Sequence, residues 1–199
     1  MNGPSRRLRV VKLGGSLLEL PDLPVRLRRW LALQPAATNV LVVGGGRAAD
    51  AVREVDRQDQ LTDDEAHWHA IDAMRSNARL LAESFPEAIW LERIEDVPTY
   101  TVPLLLLDPL IFMRRADPQH PCGPLPASWD VTSDSIAARA ADMLGARELV
   151  LLKSTLPAGR RPQDRLFGYV DEFFWQASRG LSHVRCVNLR DESFSEMGW

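Results

Sequence analysis

The stretch Leu8-Arg9-Val10-Val11-Lys12-Leu13-Gly14-Gly15 decides how the chain begins to fold. Its β-branched and leucine side chains predict a short strand, and the two glycines predict a tight turn directly after it. Residues 39–43 repeat this arrangement, because an apolar run there ends in Gly44-Gly45-Gly46. A strand that is apolar on both faces is typical of the interior of a parallel sheet.

Helical and strand patterns alternate along the rest of the chain. Apolar residues at helical spacing predict helices near residues 23–31, 48–55, 62–84, 133–145 and 170–178. The third of these begins with a capping box formed by Thr62 and Glu65, and the fourth is capped by Ser133 and ends at Gly145. Further strands are predicted at residues 103–107, 148–153 and 183–189, with loops at 114–128 and 156–168.

This alternation predicts an α/β fold with a mostly parallel sheet that helices cover on both faces. A chain of 199 residues is expected to form one domain. Ligands bind beyond the carboxyl ends of the strands in such sheets, so the residues that end the predicted strands should meet at one edge. These are Lys12 to Gly15, Gly44 to Gly46, Asp108 and Lys153.

Composition argues against several classes of protein. The net charge of −3 disfavours a nucleic-acid binder that relies on broad phosphate neutralisation. No apolar stretch has the length of a membrane span, so no membrane is expected as a partner. Given the net charge, nucleic acid is not expected as a partner either. Cys122 and Cys186 lack CxxC spacing, which favours a reducing, cytoplasmic setting.

His67 and His69 face different sides of a helix, so no metal site is expected. A surface or capping role is favoured for them over contact with a substrate pocket.

The first glycine turn has the chemistry of an anion site. Gly14 and Gly15 have no Cβ, so backbone N–H groups can approach an anion closely, and Lys12 adds a charge for a terminal phosphate. The alternative is an ordinary strand-helix turn with a solvated lysine.

The second glycine turn, Gly44-Gly45-Gly46-Arg47, precedes a predicted helix whose N-terminus favours anions. The run from Gly44 to Ala49 also matches G-x-G-x-x-A, the dinucleotide fingerprint. That alternative is disfavoured because the acidic residues about 20 positions later, Asp63 and Asp64, open a helix and do not end a strand.

A third segment, Trp129-Asp130-Val131-Thr132-Ser133-Asp134-Ser135, concentrates hydroxyl and carboxylate groups at a predicted helix start. Such residues usually serve as N-caps and first-turn acids. The functional alternative is that Asp134 holds Lys12 and Lys153 in position while the hydroxyl groups of Thr132 and Ser133 contact substrate.

In order and spacing, three segments resemble the amino acid kinase superfamily, which includes acetylglutamate, aspartate, uridylate and isopentenyl phosphate kinases. They are Val11-Lys12-Leu13-Gly14-Gly15-Ser16, Val42-Val43-Gly44-Gly45-Gly46 and Thr132-Ser133-Asp134-Ser135-Ile136-Ala137, and the resemblance spans residues 8–153. The short length, His67-Trp68-His69-Ala70-Ile71 and the tryptophan-bearing third segment look most like the kinases of methanofuran biosynthesis, which phosphorylate (aminomethyl)furanmethanol phosphate.

The resemblance implies a three-layer α/β/α sandwich of the amino acid kinase-like (carbamate kinase-like) type. It implies a homo-oligomeric enzyme that uses ATP and Mg²⁺ to phosphorylate a phosphate or carboxylate group of a small-molecule substrate. In this reading Lys12, Asp134 and Lys153 are the catalytic residues. The implied substrate- and phosphate-binding residues are Gly14, Gly15, Ser16, Gly44, Gly45, Gly46, Arg47, Thr132 and Ser133, with Arg53 as a further partner for an acceptor phosphate.

The chain departs from the larger members of that superfamily after Lys153, where only about 40 residues remain. We therefore expect residues 1–130 to form the acceptor- and phosphate-binding part of a single domain, and residues 131–199 to form an abbreviated nucleotide-binding part. A degenerate kinase fold that binds a metabolite and regulates or scaffolds a partner is the non-enzymatic alternative.

Overall fold

The computed structural model describes residues 7–58, 61–100, 102–158 and 168–198. Its strands are β1 (Leu8–Leu13), β2 (Thr38–Val43), β3 (Ile89–Leu91), β4 (Leu104–Leu107), β5 (Glu148–Lys153), β6 (Val184–Asn188) and β7 (Glu196–Gly198). They form one sheet in the order β3-β4-β2-β1-β5-β6-β7. The pairs among β1 to β6 are all parallel, and β7 pairs antiparallel with β6.

The helices are α1 (Leu23–Leu33), α2 (Gly46–Asp56), α3 (Asp63–Glu83), α4 (Pro109–Ile111), α5 (Ser133–Met143) and α6 (Phe174–Ala177). Short 3₁₀ turns occur at Gly15–Glu19, Ile94–Thr99 and Asp117–Gln119, and a π-helical turn at Phe112–Ala116. Among the residues that the structure describes, no helix has both the length and the apolar character needed to cross a membrane.

The side chains of β1 alternate between two apolar cores, one on each face of the sheet. Val10 packs in one core with Ile136 and the alanines of α5. Val11 packs in the other with Leu27 and Trp30 of α1. Successive residues of a strand point to opposite faces, so a strand that is apolar throughout requires cover on both sides. The expected three-layer α/β/α sandwich is therefore confirmed.

Local signals in the sequence set several boundaries as predicted. The capping box at the start of α3 is present, since the N–H of Glu65 donates to Thr62 Oγ1 and the N–H of Thr62 donates to Glu65 Oε2. Gly145 follows α5 with a φ of +58°, a left-handed conformation that glycine adopts without strain.

Other boundaries differ from the predictions. The N-cap of α5 is Thr132, and Ser133 is the first helical residue. The expected loop at 114–128 begins with the helical turns Phe112–Ala116 and Asp117–Gln119, since Asp108 caps α4 just before them. The predicted helix at 170–178 is reduced to α6, because the residues before it turn aside and place Asp171 against the start of α5. The three-residue strands β3 and β7 were not predicted. Most of the expected loop at 156–168 lies outside the described residues.

Candidate functional site

The carboxyl ends of β1, β2 and β5 bring the predicted site residues to one edge of the sheet. β1 lies between β2 and β5, with Leu13 opposite Val43 on one side and Leu152 on the other. From β1 the chain goes to β2 on one side, and from the adjacent β5 it goes to β6 on the other. The edge between β1 and β5 is therefore the crevice in which parallel α/β sheets bind ligands. The first glycine turn, the second glycine turn and Lys153 therefore converge as expected.

Asp134 bridges two lysines at this edge. Its Oδ1 lies 2.9 Å from Lys12 Nζ, and its Oδ2 accepts a hydrogen bond of 2.8 Å from Lys153 Nζ. The side chains of Lys12 and Asp134 are each 6% exposed, and that of Lys153 is 14% exposed. The sequence contains 22 arginines and only these two lysines, a signal that sequence reasoning did not use. Lysine is a compact point charge suited to a phosphate oxygen.

The charges of this bridge shift the pKa values of Asp134 and Lys153. Burial tends to raise the pKa of Asp134, but the charges of Lys12 and Lys153 outweigh it and hold that pKa below its ordinary value. Burial also lowers the pKa of Lys153, with Lys12 adding to the effect and Asp134 opposing it. Two ammonium groups against one carboxylate leave a surplus positive charge at the edge of the sheet. An anion bound beside them would complete the charge balance.

The two glycine turns touch each other. A Cβ on Gly15 would lie 2.4 Å from the backbone nitrogen of Gly46, and Gly46 itself has a φ of +50°. Neither position can hold a larger residue without a backbone shift. Asn77 of α3 fixes the second turn, because its Nδ2 donates to the carbonyl oxygens of Gly44 and Gly45 at 3.0 and 2.8 Å.

Not every glycine N–H group faces a ligand as the sequence suggested. The N–H of Gly14 donates to Leu152 O at 2.8 Å, and that of Gly44 donates to Leu13 O at 2.9 Å, so both extend the sheet. The expected phosphate contacts of these two groups are wrong. The N–H groups that open the turn Gly15–Glu19 and helix α2 have no intrahelical acceptor, and these remain for an anion.

A cleft of about 310 Å³ lies beside the two turns. Residues of α2, α3, the start of α5 and the segment before it line the cleft. Its apolar side chains include Ala49, Ala70, Ile71, Met74, Val131 and Ile136. Its polar residues include Ser16, Arg53, His67, Thr132 and Ser133. His67 is therefore a cleft residue, and the surface or capping role favoured from the sequence is wrong for it. Burial lowers the pKa of His67, with the charge of Asp64 opposing.

Arg53 and Trp129 both line this cleft and lie against each other. The guanidinium carbon of Arg53 lies 4.4 Å from the centre of the Trp129 ring, a cation–π distance. Trp129 is itself held by α2, since its Nε1 donates to Asp56 Oδ2 at 2.6 Å. By contrast, the side chain of Arg47 is 86% exposed, and its Nε lies 3.8 Å from Glu19 Oε1. Of the two arginines expected near an acceptor, only Arg53 lines the cleft.

The remaining predicted residues lie around the lysine pair. Ser16 Oγ lies 3.1 Å from Ser154 Oγ, which joins the first turn to the residue after Lys153. Thr132 and Ser133 line the cleft, and Thr132 Oγ1 donates to Asp171.

Sequence reasoning missed Asp171, Tyr169 and Asn77. Asn77 lies in register with the apolar stripe of Ala70, Met74 and Leu81, where an amide is unusual, so a signal for it was present. Tyr169 and Asp171 had no signal, because their contacts join segments far apart in the sequence.

No protein-family model matches the chain, and no curated protein sequence matches it. Solved structures do match. UMP kinase from Ureaplasma parvum has a TM-score of 0.64 at 12% identity, covering 94% of this chain and 92% of that one. Uridylate kinase from Archaeoglobus fulgidus has a TM-score of 0.60 at 16% identity, covering 88% of each chain. Aspartate kinase from Synechocystis has a TM-score of 0.67 at 14% identity, covering 96% of this chain and 39% of that one. At these identities the likeness shows a shared fold, and the expected fold is confirmed.

Proposed function

We propose that this protein is an ATP-dependent kinase that transfers the γ-phosphoryl group to a phosphate or carboxylate oxygen of a small molecule. The observation that carries the proposal is the Lys12–Asp134–Lys153 bridge, buried at the carboxyl edge of a parallel sheet between two glycine turns. The fold shared with UMP kinases and aspartate kinase supports it.

The proposed chemistry is positioning and electrostatic stabilisation. An anionic acceptor oxygen attacks the γ-phosphorus in line, a new P–O bond forms, and the bond to the bridging oxygen breaks with its electron pair leaving on ADP. Lys12 and Lys153 stabilise the charge on the transferring group, and Asp134 holds both ammonium groups in place. The acceptor oxygen is already anionic, so no general base is required.

The cleft is proposed as the acceptor site. Its apolar walls suit a compact apolar body, while Arg53 can pair with an acceptor anion. The finer proposal, which rests on the resemblance in residues 8–153, is that the acceptor is (aminomethyl)furanmethanol phosphate in methanofuran-type cofactor biosynthesis. The same resemblance carries the proposal of a homo-oligomer, with residues 131–199 forming the abbreviated nucleotide-binding part. The proposal of a cytoplasmic setting rests on Cys122 and Cys186, which lack CxxC spacing.

Magnesium is proposed to be held mainly by the phosphates of ATP. Among the residues that the structure describes, no group of three or more His, Cys, Asp or Glu side chains could hold a metal ion. Both oxygens of Asp134 already face ammonium groups. A Mg²⁺ ion carried by ATP needs few protein ligands, because it usually keeps several waters and binds through substrate phosphates. When bound, Mg²⁺ would neutralise charge on the phosphate chain.

A coupled ADP-release assay tests the proposal, with acceptors that include aminomethylfuran phosphate, acetylglutamate and uridine monophosphate. We expect acceptor-dependent ADP release with one of them and thermal stabilisation by Mg-ATP. A ligand at 100 times its dissociation constant adds about 2.7 kcal/mol to the free energy of unfolding, which gives a measurable shift in Tm. Stabilisation by NAD alone would favour the dinucleotide alternative. The absence of any response to nucleotides would reject the kinase and favour the regulatory or scaffolding alternative.

A further inference from the structure

The carboxylate of Asp171 accepts four hydrogen bonds from the start of α5. Its Oδ2 accepts from the N–H of Thr132 at 2.9 Å, from Thr132 Oγ1 at 2.8 Å and from the N–H of Ser135 at 3.0 Å. Its Oδ1 accepts from Ser135 Oγ. Burial and the nearby charge of Asp134 raise the pKa of Asp171, and the hydrogen bonds from Ser135 and Thr132 oppose this rise.

These bonds supply a helix cap from a distant part of the chain. Thr132 is the N-cap residue of α5, but its own side chain caps no N–H group of the helix. Asp171, 39 residues later than Thr132, takes over that role and binds both the N-cap and the third helical residue. Asp134 is the second helical residue, so it lies between the two points that Asp171 holds.

The same short segment also holds Lys153. The backbone carbonyl of Tyr169 accepts a hydrogen bond from Lys153 Nζ, and the ring centre of Tyr169 lies 4.4 Å from that nitrogen. The Tyr169 hydroxyl donates to Thr155 O at 3.0 Å, which ties the ring to the residues that follow Lys153. Lys153 and Asp134 form an ion pair at 2.8 Å. Tyr169 contacts Lys153, and Asp171, two residues later, holds the helix start that carries Asp134.

We propose that Asp171 is a positioning residue that sets Asp134 between Lys12 and Lys153 by clamping the first turn of α5. The inference rests on the proposed function for its consequence in catalysis, but its structural part stands without it. Catalytic groups must be held within a fraction of an ångström, and a displacement of 1 Å can lower a rate by about 100-fold. Asp171 does not itself line the cleft, but it bonds Thr132, which does, so its loss should act on the bridge and also release the Thr132 hydroxyl.

A simple helix cap is the competing explanation, and the chain contains a matched control. Thr62 caps α3 through a capping box at a helix start that does not carry Asp134. If Asp171 only stabilises a helix, Asp171→Asn and Thr62→Ala should both lower Tm and do nothing further. If Asp171 positions Asp134, only Asp171→Asn should alter the lysine pair.

The experiment exploits the two lysines of the chain. Full-length protein labelled with [ε-¹³C]lysine should give two resonances, assigned with Lys12→Arg, and the titration midpoint of each reports the charge around it. In Asp171→Asn we expect the midpoint of Lys153 to move to lower pH, because Asp134 no longer supports its charged form. Thr62→Ala should leave both midpoints in place. In the ADP-release assay, kcat of Asp171→Asn should fall by about 100-fold.

Ser135→Ala separates positioning from the charge of Asp171 itself. This variant keeps the carboxylate and removes the Ser135 Oγ bond, so a smaller shift of Lys153 in the same direction is expected. It also tests the proposal if Asp171→Asn does not fold. Unchanged lysine midpoints in both variants, or an equal shift in Thr62→Ala, would overturn the proposal. If the wild-type protein transfers no phosphoryl group, the proposed function fails while the lysine titration still decides the role of Asp171.

Discussion

Replacing Lys12 with methionine removes one charge from the bridge and keeps most of the length of the side chain. Lys12 Nζ lies 2.9 Å from Asp134 Oδ1 in a site that is almost closed to solvent. Loss of one preorganised donor to a transition state typically lowers kcat by about 10²- to 10³-fold. We expect a loss of that size for Lys12→Met.

The stability of the same variant should change little, because several electrostatic contributions nearly cancel. At 2.9 Å and an effective dielectric constant of about 20, the gross attraction between Lys12 and Asp134 is about 6 kcal/mol. Against it stand the desolvation of the ammonium, which costs several kcal/mol, and the repulsion by Lys153. After the substitution, Asp134 still has Lys153 at 2.8 Å, so no buried charge is left alone. The free energy of unfolding should therefore change by no more than about 1–2 kcal/mol.

Asp134→Asn is the matched comparison. It leaves two buried ammonium groups without an anion, and removing one partner of a buried ion pair costs about 3–5 kcal/mol. ADP release measures turnover in both variants, and urea denaturation measures the free energy of unfolding. Lys12→Met should lose most of its turnover yet be nearly as stable as wild type, whereas Asp134→Asn should lose turnover and be clearly destabilised. Turnover of Lys12→Met within about tenfold of wild type would remove Lys12 from its proposed role, and equal destabilisation of the two variants would refute the charge balance.

Two further predictions concern the glycine turns and the cleft. Gly15→Ala places a Cβ 2.4 Å from the backbone of Gly46 and should lower the free energy of unfolding by about 1–3 kcal/mol in urea denaturation. Gly198→Ala is the control, because its Cβ would have its nearest contact at 3.6 Å and should be tolerated. Equal stability of the two variants would contradict the close approach of the two glycine turns. Burial holds the pKa of His67 below its ordinary value of 6.5, so below that pH the unfolded chain binds a proton that the folded chain does not. The free energy of unfolding should therefore fall as the pH is lowered through that window. His67→Gln should flatten this pH dependence in urea denaturation. An unchanged slope would show that His67 is not buried in its neutral form.

The fold was predictable because its signals are local. An apolar run that ends in glycine marks the end of β1 and of β2 whatever the rest of the chain does, and Thr62 with Glu65 marks the start of α3. The short edge strands β3 and β7 escaped prediction because three residues carry too little pattern to distinguish a strand from a turn.

The candidate site was predictable in its members and less so in its contacts. Lys12 and Lys153 could be placed together because strand ends in a parallel sheet share one edge, and Asp134 lies in the first turn of the helix that leads into the strand ending at Lys153. The sequence also suggested phosphate contacts for the N–H groups of Gly14 and Gly44, but those groups continue the hydrogen bonding of the sheet. His67 was assigned away from the pocket, since the two faces of a helix cannot be ranked without knowing what packs against each.

By itself, the sequence determined the alternation of strands and helices, the glycine turns and the two lysines at strand ends, because each depends on neighbours along the chain. Only the tertiary structure decided that Asp171 caps the helix carrying Asp134, that Asn77 fixes the second glycine turn, and that His67 faces the cleft. These contacts join segments that lie tens of residues apart, and their geometry follows from how the helices pack on the sheet. No local pattern of residues records that packing.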